Sequence, residues 1–190
     1  MDVIPPNILL GAYSEGVFPM SEEGRLLWFS PEMRGVIPLD ERFHIPRGLK
    51  KALNKKPFEL KMDTAFRATM DGCSERETTW IDPVIKDSYV ELFELGFAHS
   101  IECWDEEGLQ GGLYGVRLGN VFFGESMFSR KTDASKIALV HLVEWLRNEG
   151  VQLLDTQWLT EHLKQFGGYE VPRDVYLDLL EEALAPLLEE

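Results

Sequence analysis

Glu125, Asp155 and Gln157 are the residues of this chain best suited to act together on a substrate. Glu125 closes the run Val121-Phe122-Phe123-Gly124-Glu125, and Asp155 closes Val151-Gln152-Leu153-Leu154-Asp155; both runs read as short strands. Gln157 follows two residues later, so on an extended segment it shares a face with Asp155. Carboxylates hold protons and recognise cations. A primary amide is a feeble base but orients a reactant through its carbonyl and its NH2. The set suits a reaction that needs positioning and charge handling. Each carboxylate taken alone is more often a strand-end residue capping a turn.

The three meet only if the two strands are neighbours. Between them, residues 133 to 148 are rich in helix formers, with Thr132 or Asp133 as the capping residue and Gly150 as the stop. Strands joined by such a crossover usually lie parallel in one sheet. Glu125 and Asp155 are then expected side by side at its carboxyl edge, where open α/β folds place ligands.

The other elements follow in order. Residues 1 to 34 hold an amphipathic stretch, Ile8 to Tyr13, then Gly16-Val17-Phe18-Pro19 and Trp28-Phe29-Ser30-Pro31. This part is too small for a core of its own, so the expected division is a small amino-terminal domain, 1–34, packed on a larger one, 35–190. Asp82-Pro83 opens a helix running to about Leu95. A three-strand antiparallel meander comes next: His99 to Trp104, Leu109 to Arg117, and, after the hairpin signal Gly119-Asn120, the strand from Val121. A helix from about Thr160 to Phe166 ends at Gly167-Gly168, and a last helix starts with Pro172 in its first turn.

With 44% hydrophobic and 11% aromatic residues in 190, the chain reads as one globular core with an appendage. There is no basic stretch of a signal peptide at its start and no apolar run of membrane-spanning length, so the cytoplasm is the expected compartment, with no membrane partner. Cys73 and Cys103 lack CxxC spacing and no two histidines stand at i, i+4, so neither a disulfide framework nor a metal site is signalled. The net charge of −14 argues against a nucleic-acid partner until its distribution is read. Residues 42–67 carry eight of the nineteen cations and two anions, a net +6 against −20 for the remainder. Within them Arg47, Lys50, Lys51, Lys55 and Lys56 fall between Pro46 and Pro57, where one short helix presents a cationic stripe. A solvated helix face is the equal alternative.

Meander, crossover helix, then a strand splaying from the sheet is the core order of GNAT acyltransferases, an α+β (α/β-like) arrangement. In those enzymes a glycine-rich turn opening the crossover helix cradles the coenzyme A pyrophosphate. Here that turn reads Arg130-Lys131-Thr132-Asp133-Ala134-Ser135, with Asp133 at the glycine position, so coenzyme A is not the expected donor.

Trp80-Ile81, Ala98-His99-Ser100-Ile101-Glu102, Gly111-Gly112-Leu113-Tyr114-Gly115-Val116, Phe123-Gly124-Glu125-Ser126-Met127-Phe128-Ser129-Arg130, Ala134-Ser135-Lys136 and Asp155-Thr156-Gln157 follow in the order and near-spacing of the leucyl/phenylalanyl-tRNA protein transferases. Gly16-Val17-Phe18-Pro19 and Trp28-Phe29-Ser30-Pro31-Glu32-Met33-Arg34 resemble the amino-terminal signatures of that family. The resemblance spans nearly the whole chain. It implies a GNAT-like domain with a small amino-terminal domain, no metal or coenzyme, and transfer of Leu or Phe, less readily Met, from charged tRNA to the α-amine of proteins beginning with Arg or Lys. The product is an N-degron read by the bacterial degradation machinery.

The same resemblance distributes roles. Asp155 and Gln157 orient the attacking amine, and Glu125 recognises the cationic acceptor. Trp80 and Tyr89 match residues around the terminal adenosine, with Met20 where some members carry a Trp; Leu113, Phe122 and Met127, with Ser126 beside them, match the aminoacyl pocket. Arg47, Lys50, Lys51, Lys55 and Lys56 match the region gripping the tRNA backbone. An aminoacyl ester is already activated and an α-amine has a pKa of about 7.7 to 8.0, so positioning outweighs base strength. A single chain suffices for this logic, and a monomer is expected. The rival readings are a related transferase with a different donor or an acidic amino-terminal acceptor, and a catalytically silent tRNA-binding module. A serine hydrolase built on Ser126, His99 and Asp155 is set aside, because Gly124-Glu125-Ser126-Met127-Phe128 lacks the second glycine of a nucleophile elbow.

Overall fold

The computed structural model describes residues 3–188. In chain order the elements are α1 (Pro6–Ser14), β1 (Phe18–Glu22), β2 (Arg25–Phe29), β3 (Met33–Ile37), α2 (Arg47–Lys55), β4 (Glu59–Met62), α3 (Phe66–Ser74), α4 (Pro83–Glu94), β5 (Ala98–Asp105), β6 (Gly108–Leu118), β7 (Val121–Ser129), α5 (Ala134–Asn148), β8 (Leu153–Gln157), α6 (Glu161–Lys164), β9 (Tyr169–Pro172) and α7 (Arg173–Leu184). Seven strands form a mixed sheet in the order β4-β5-β6-β7-β8-β3-β9, and β1-β2 is a separate hairpin. Every pairing in the large sheet is antiparallel except β7 with β8.

Helices cover both faces. Leu9 and Tyr13 of α1, Phe66 and Met70 of α3, Ile85 and Tyr89 of α4, and Tyr176 and Leu180 of α7 share one core cluster with Phe123; Leu49 of α2, Leu163 of α6 and the apolar side of α5 share the other with Phe122. The neighbours Phe122 and Phe123 thus point to opposite layers, as the two-residue period of a strand requires. No helix among the described residues is long and apolar enough to cross a membrane.

The local signals act as the chemistry of their residues predicts at several ends. Asp82 caps α4 by accepting from the Ile85 amide at 2.8 Å, Gly119 takes the hairpin turn at φ 56°, and Gly150 follows α5 at φ 71°. Elsewhere tertiary contacts intervene. Asp133 stands in the left-handed region at φ 66° and its side chain caps nothing; Ser129 Oγ, from β7, instead accepts from the Ser135 amide at 2.8 Å. The strand expected from Val151 begins at Leu153, because the Val151 amide turns back to the Leu146 carbonyl. The helix expected over 160–166 is a single turn, and Pro172 ends β9 before α7 begins.

Strand β3 has no counterpart in the sequence reading. It inserts between β8 and β9, and the division expected at residue 34 falls inside it. Leu9, Tyr13 and Phe18, which precede that division, lie in the same core cluster as Val36 and Tyr176, which follow it.

Candidate active site

Parallel β7 and β8 run together only as far as the pair Phe123 and Asp155. Beyond it β7 continues to Ser129 against β6, while β8 ends at Gln157, whose backbone is left-handed at φ 66° rather than extended. The strands therefore part at Asp155, just before Glu125 and Gln157. The gap is a cavity of about 680 Å³, within the range of small-molecule sites.

Gln157 joins the two carboxylates. Its backbone N–H donates to Asp155 Oδ1 at 2.8 Å, and its Nε2 donates to Glu125 Oε1 at 3.0 Å. Among the described residues, no donor meets its Oε1. Asp155 itself does not reach the cavity and is fully buried, which corrects the expectation that it stands open at the strand edge. Arg34 of β3 approaches it with Nε to Oδ1 at 2.9 Å and Nη2 to Oδ2 at 2.6 Å, and Tyr176 Oη donates to Oδ2 at 2.9 Å. Arg34 is 1% exposed, donates to the Gly16 carbonyl at 2.8 Å and lies over the rings of Phe18 and Tyr176. Burial by itself depresses its pKa, but the bonds and charge of Asp155 outweigh that and hold it raised. A bidentate pair of this kind suits a buried carboxylate because the guanidinium fork fills two acceptor positions at once.

Glu125 lines the cavity from the other strand. Tyr13 Oη donates to its Oε1 at 2.5 Å, Tyr89 Oη lies 3.4 Å from Oε2, and the two tyrosine hydroxyls contact each other. Burial pushes the Glu125 carboxyl up to about 7; the bonds from Tyr13, Gln157 and Tyr89 pull the other way, and the charge of Asp155 adds to the rise. It is a carboxyl poised near neutrality, where the sequence reading treated it as a plain negative charge.

The other expected residues divide. Met20, Trp80, Leu113, Ser126 and Met127 line the cavity with Glu125 and Gln157. Tyr89 and Phe122 do not. Tyr89 is fully buried with its ring edge against Tyr13 and Tyr114, so it offers no face to a base, and its hydroxyl is turned to Glu125. Phe122 lies in the same layer as Leu113 but turns away from the cavity, its ring meeting Trp145 of α5. Leu139 and Leu142 of α5, unnamed in the sequence reading, complete the apolar wall. Arg47, Lys50, Lys51, Lys55 and Lys56 are all exposed on α2 and its C-terminal cap, and none forms an ion pair among the described residues; Leu49 anchors the helix in the core shared with α5.

Sequence reasoning missed Arg34, Tyr13 and Tyr176. The available signal for Arg34 was a lone cation within Met33-Arg34-Gly35-Val36-Ile37, a run otherwise apolar enough to be a buried strand. Tyr13 ends the amphipathic stretch from Ile8 and Tyr176 falls in the last helix, with nothing local to say that their hydroxyls meet carboxylates.

Compared with known proteins, residues 36–181 match the leucyl/phenylalanyl-tRNA protein transferase family and residues 3–32 match its N-terminal domain. Proteins called leucyl/phenylalanyl-tRNA--protein transferase are similar over nearly full length. The one from Akkermansia muciniphila is 59% identical, covering 96% of this chain and 97% of its own. That from Paramagnetospirillum magneticum is 54% identical (97% and 91%), and that from Herpetosiphon aurantiacus 50% (95% and 95%). Among solved structures the fold resembles FemX, with a TM-score of 0.58 at 10% identity over 87% of this chain and 66% of that one. It also resembles L-PGS from Bacillus licheniformis, with a TM-score of 0.50 at 11% identity over 91% and 68%.

Proposed function

The chain belongs to the leucyl/phenylalanyl-tRNA protein transferase family and is a tRNA-dependent aminoacyltransferase; from that premise we propose that it joins donor and acceptor in the cavity between β7 and β8. The donor is tRNA charged with Leu or Phe, less readily Met. The acceptor is the α-amine of a protein beginning with Arg or Lys, and the product is an N-degron that commits the protein to degradation. A single chain working in the cytoplasm suffices. Residues 1–34 act as the small amino-terminal part whose Met20 closes a cavity otherwise built from residues 35–190.

One observation carries this reading: Gln157 is bonded to both carboxylates at the wall of an apolar-lined cavity. Its Oε1 accepts an N–H of the amine, and Asp155, held by Arg34, keeps the Gln157 backbone in place. Leu113, Met127, Leu139 and Leu142, with Ser126 at their side, receive the Leu or Phe side chain, favouring apolar over polar residues without separating near-isosteres. Trp80 and Met20 flank the terminal adenosine, where an aromatic face adds about 1 to 3 kcal/mol of stacking. The tRNA backbone lies on Arg47, Lys50, Lys51, Lys55 and Lys56, contacts that position without reading sequence. Glu125 favours a cationic chain start and disfavours an anionic one, which weighs against the acidic-acceptor alternative.

Incubating the protein with tRNA charged with each labelled amino acid and with peptides of every amino-terminal type is expected to move Leu and Phe onto Arg and Lys peptides alone. Transfer to Asp or Glu starts would establish the alternative, and binding of tRNA with no transfer would leave a silent module.

A further inference from the structure

The two carboxylates of the site differ in what their oxygens can still accept, a distinction that rests on the transfer reading above and goes beyond it. A carboxylate has about four acceptor positions. Asp155 has all four filled, by Arg34 Nε and Nη2, Tyr176 Oη and the Gln157 amide, and it touches no part of the cavity. Glu125 Oε1 is likewise occupied, by Tyr13 Oη and Gln157 Nε2. Its Oε2 has one contact among the described residues, Tyr89 Oη at 3.4 Å. Tyr89 carries a single hydroxyl proton and lies much closer to the Tyr13 oxygen. The long contact to Tyr89 fills at most one of the two acceptor positions of Oε2, which keeps the other free on a residue that lines the reactant cavity.

We infer that Glu125, through Oε2, takes the proton from the acceptor's α-ammonium, and that Asp155 is a positioning residue whose charge is matched by Arg34. The acceptor enters as R–NH3+, with one N–H to Glu125 Oε2 and another to Gln157 Oε1. Transfer of the first proton to Oε2 leaves a nitrogen lone pair, which attacks the ester carbonyl carbon; the C–N bond forms and the carbonyl π pair moves onto oxygen. That pair then re-forms the C=O bond and expels the ribose oxygen, which takes the second proton from the new C–N nitrogen. Peptide amide and tRNA with a free terminal hydroxyl result, and Glu125 returns its proton to solvent as the products leave. No co-reactant is required.

The surroundings of Glu125 favour this exchange. Tyr13 faces it from α1, Tyr89 from α4, Tyr114 from β6 and Asp155 from β8, with Arg34 of β3 beyond Asp155. Burial of the Tyr13, Tyr89 and Tyr114 hydroxyls, joined by the charge of Glu125, raises all three, so they stay protonated across the working range. A carboxyl near 7 and an α-ammonium at about 7.7 to 8.0 are closely matched, the condition under which proton transfer is most efficient.

The test is the pH profile of kcat/KM for an Arg-starting peptide, from pH 5.5 to 9, for the wild type, Glu125→Gln and Asp155→Asn. The wild type is expected to rise through a limb near pH 7 set by Glu125 and to level off above about pH 8, where the amine is free without a base. Glu125→Gln is expected to lose the limb near pH 7 and to rise only through about pH 8, as free amine accumulates. It should lie about 100- to 10,000-fold below the wild type at pH 6.5, and the gap should narrow by pH 9. Asp155→Asn is expected to be slower and to keep the Glu125 limb, displaced to lower pH because the charge of Asp155 adds to the rise, and a thermal melt confirms that each variant is folded. The inference is overturned if Glu125→Gln keeps the wild-type profile, or if Asp155→Asn by itself abolishes the Glu125 limb rather than displacing it to lower pH. A wild type that fails to transfer to any basic peptide at any pH would defeat the functional reading instead.

Discussion

Glu125 and Asp155 stand on neighbouring strands and are both buried, yet among the described residues only Asp155 has a cation against it. Asp155 faces the Arg34 guanidinium, whereas Glu125 is met by neutral hydroxyls and an amide, so burial falls on its charged form. This has a sign that stability measurements can read. Between about pH 4.5 and 7 the unfolded chain has released the Glu125 proton while the folded chain still holds it. The folded state then binds more protons, and stability falls as pH rises through that window, by a total on the order of 3 kcal/mol. Glu125→Gln removes the titration while keeping the shape and the bonds of the side chain. Urea unfolding is expected to find this variant more stable than the wild type by about 1 to 3 kcal/mol at pH 8, with no gain at pH 4.5 or below. A gain of equal size at both pH values would mean that ionisation of Glu125 is not its source.

At the scale of elements, the site depends on where β8 stops pairing with β7 and how β3 holds its far side. Gly35 pairs with Gln157 across the β3–β8 ladder, next to the bulge between Gly35 and Val36. A Cβ at Gly35 would stand 2.7 Å from the Leu159 amide nitrogen and 2.7 Å from the Trp158 carbonyl carbon, and backbone atoms cannot rotate aside. Gly35→Ala is therefore expected to push the turn after Gln157 away from β3, costing about 1 to 3 kcal/mol of stability and lowering kcat on the order of 100-fold, since displacements near 1 Å at a reacting group have that effect. An active-site titration with normal kcat in this variant would show that β3 does not hold Gln157. The crossover unit from Val121 to Gln157 was legible in the sequence because its signals are local: apolar runs, helix formers, a glycine stop. Strand β3 was not, because five residues, Met33–Ile37, with a cation among them read as a strand only once β8 and β9 are seen on either side.

Across the whole molecule, the cationic stretch of residues 42–67 opposes a strongly acidic remainder, and its lysines on and beside α2 are exposed. Such a field repels a polyanion everywhere except at the basic helix, so it orients the tRNA as well as attracting it. Replacing Lys50, Lys51, Lys55 and Lys56 together by Ala is expected to weaken tRNA binding and to flatten the plot of log affinity against log salt by about 3 in slope, roughly 0.7 to 0.9 for each phosphate that is no longer neutralised. An unchanged slope would take the helix out of the tRNA interface. By itself the sequence determined the crossover, the order of the meander, and the placing of Glu125 and Asp155 on its two strands, though inside them rather than at their ends, since periodicity and turn chemistry act between near neighbours. Only the tertiary structure decided that Arg34 would meet Asp155 across 121 residues and that Tyr13 would meet Glu125 across 112. Those partnerships follow from which strand and helix come to lie beside which, and burial among distant neighbours is what sets one carboxylate against a guanidinium and leaves the other able to move a proton.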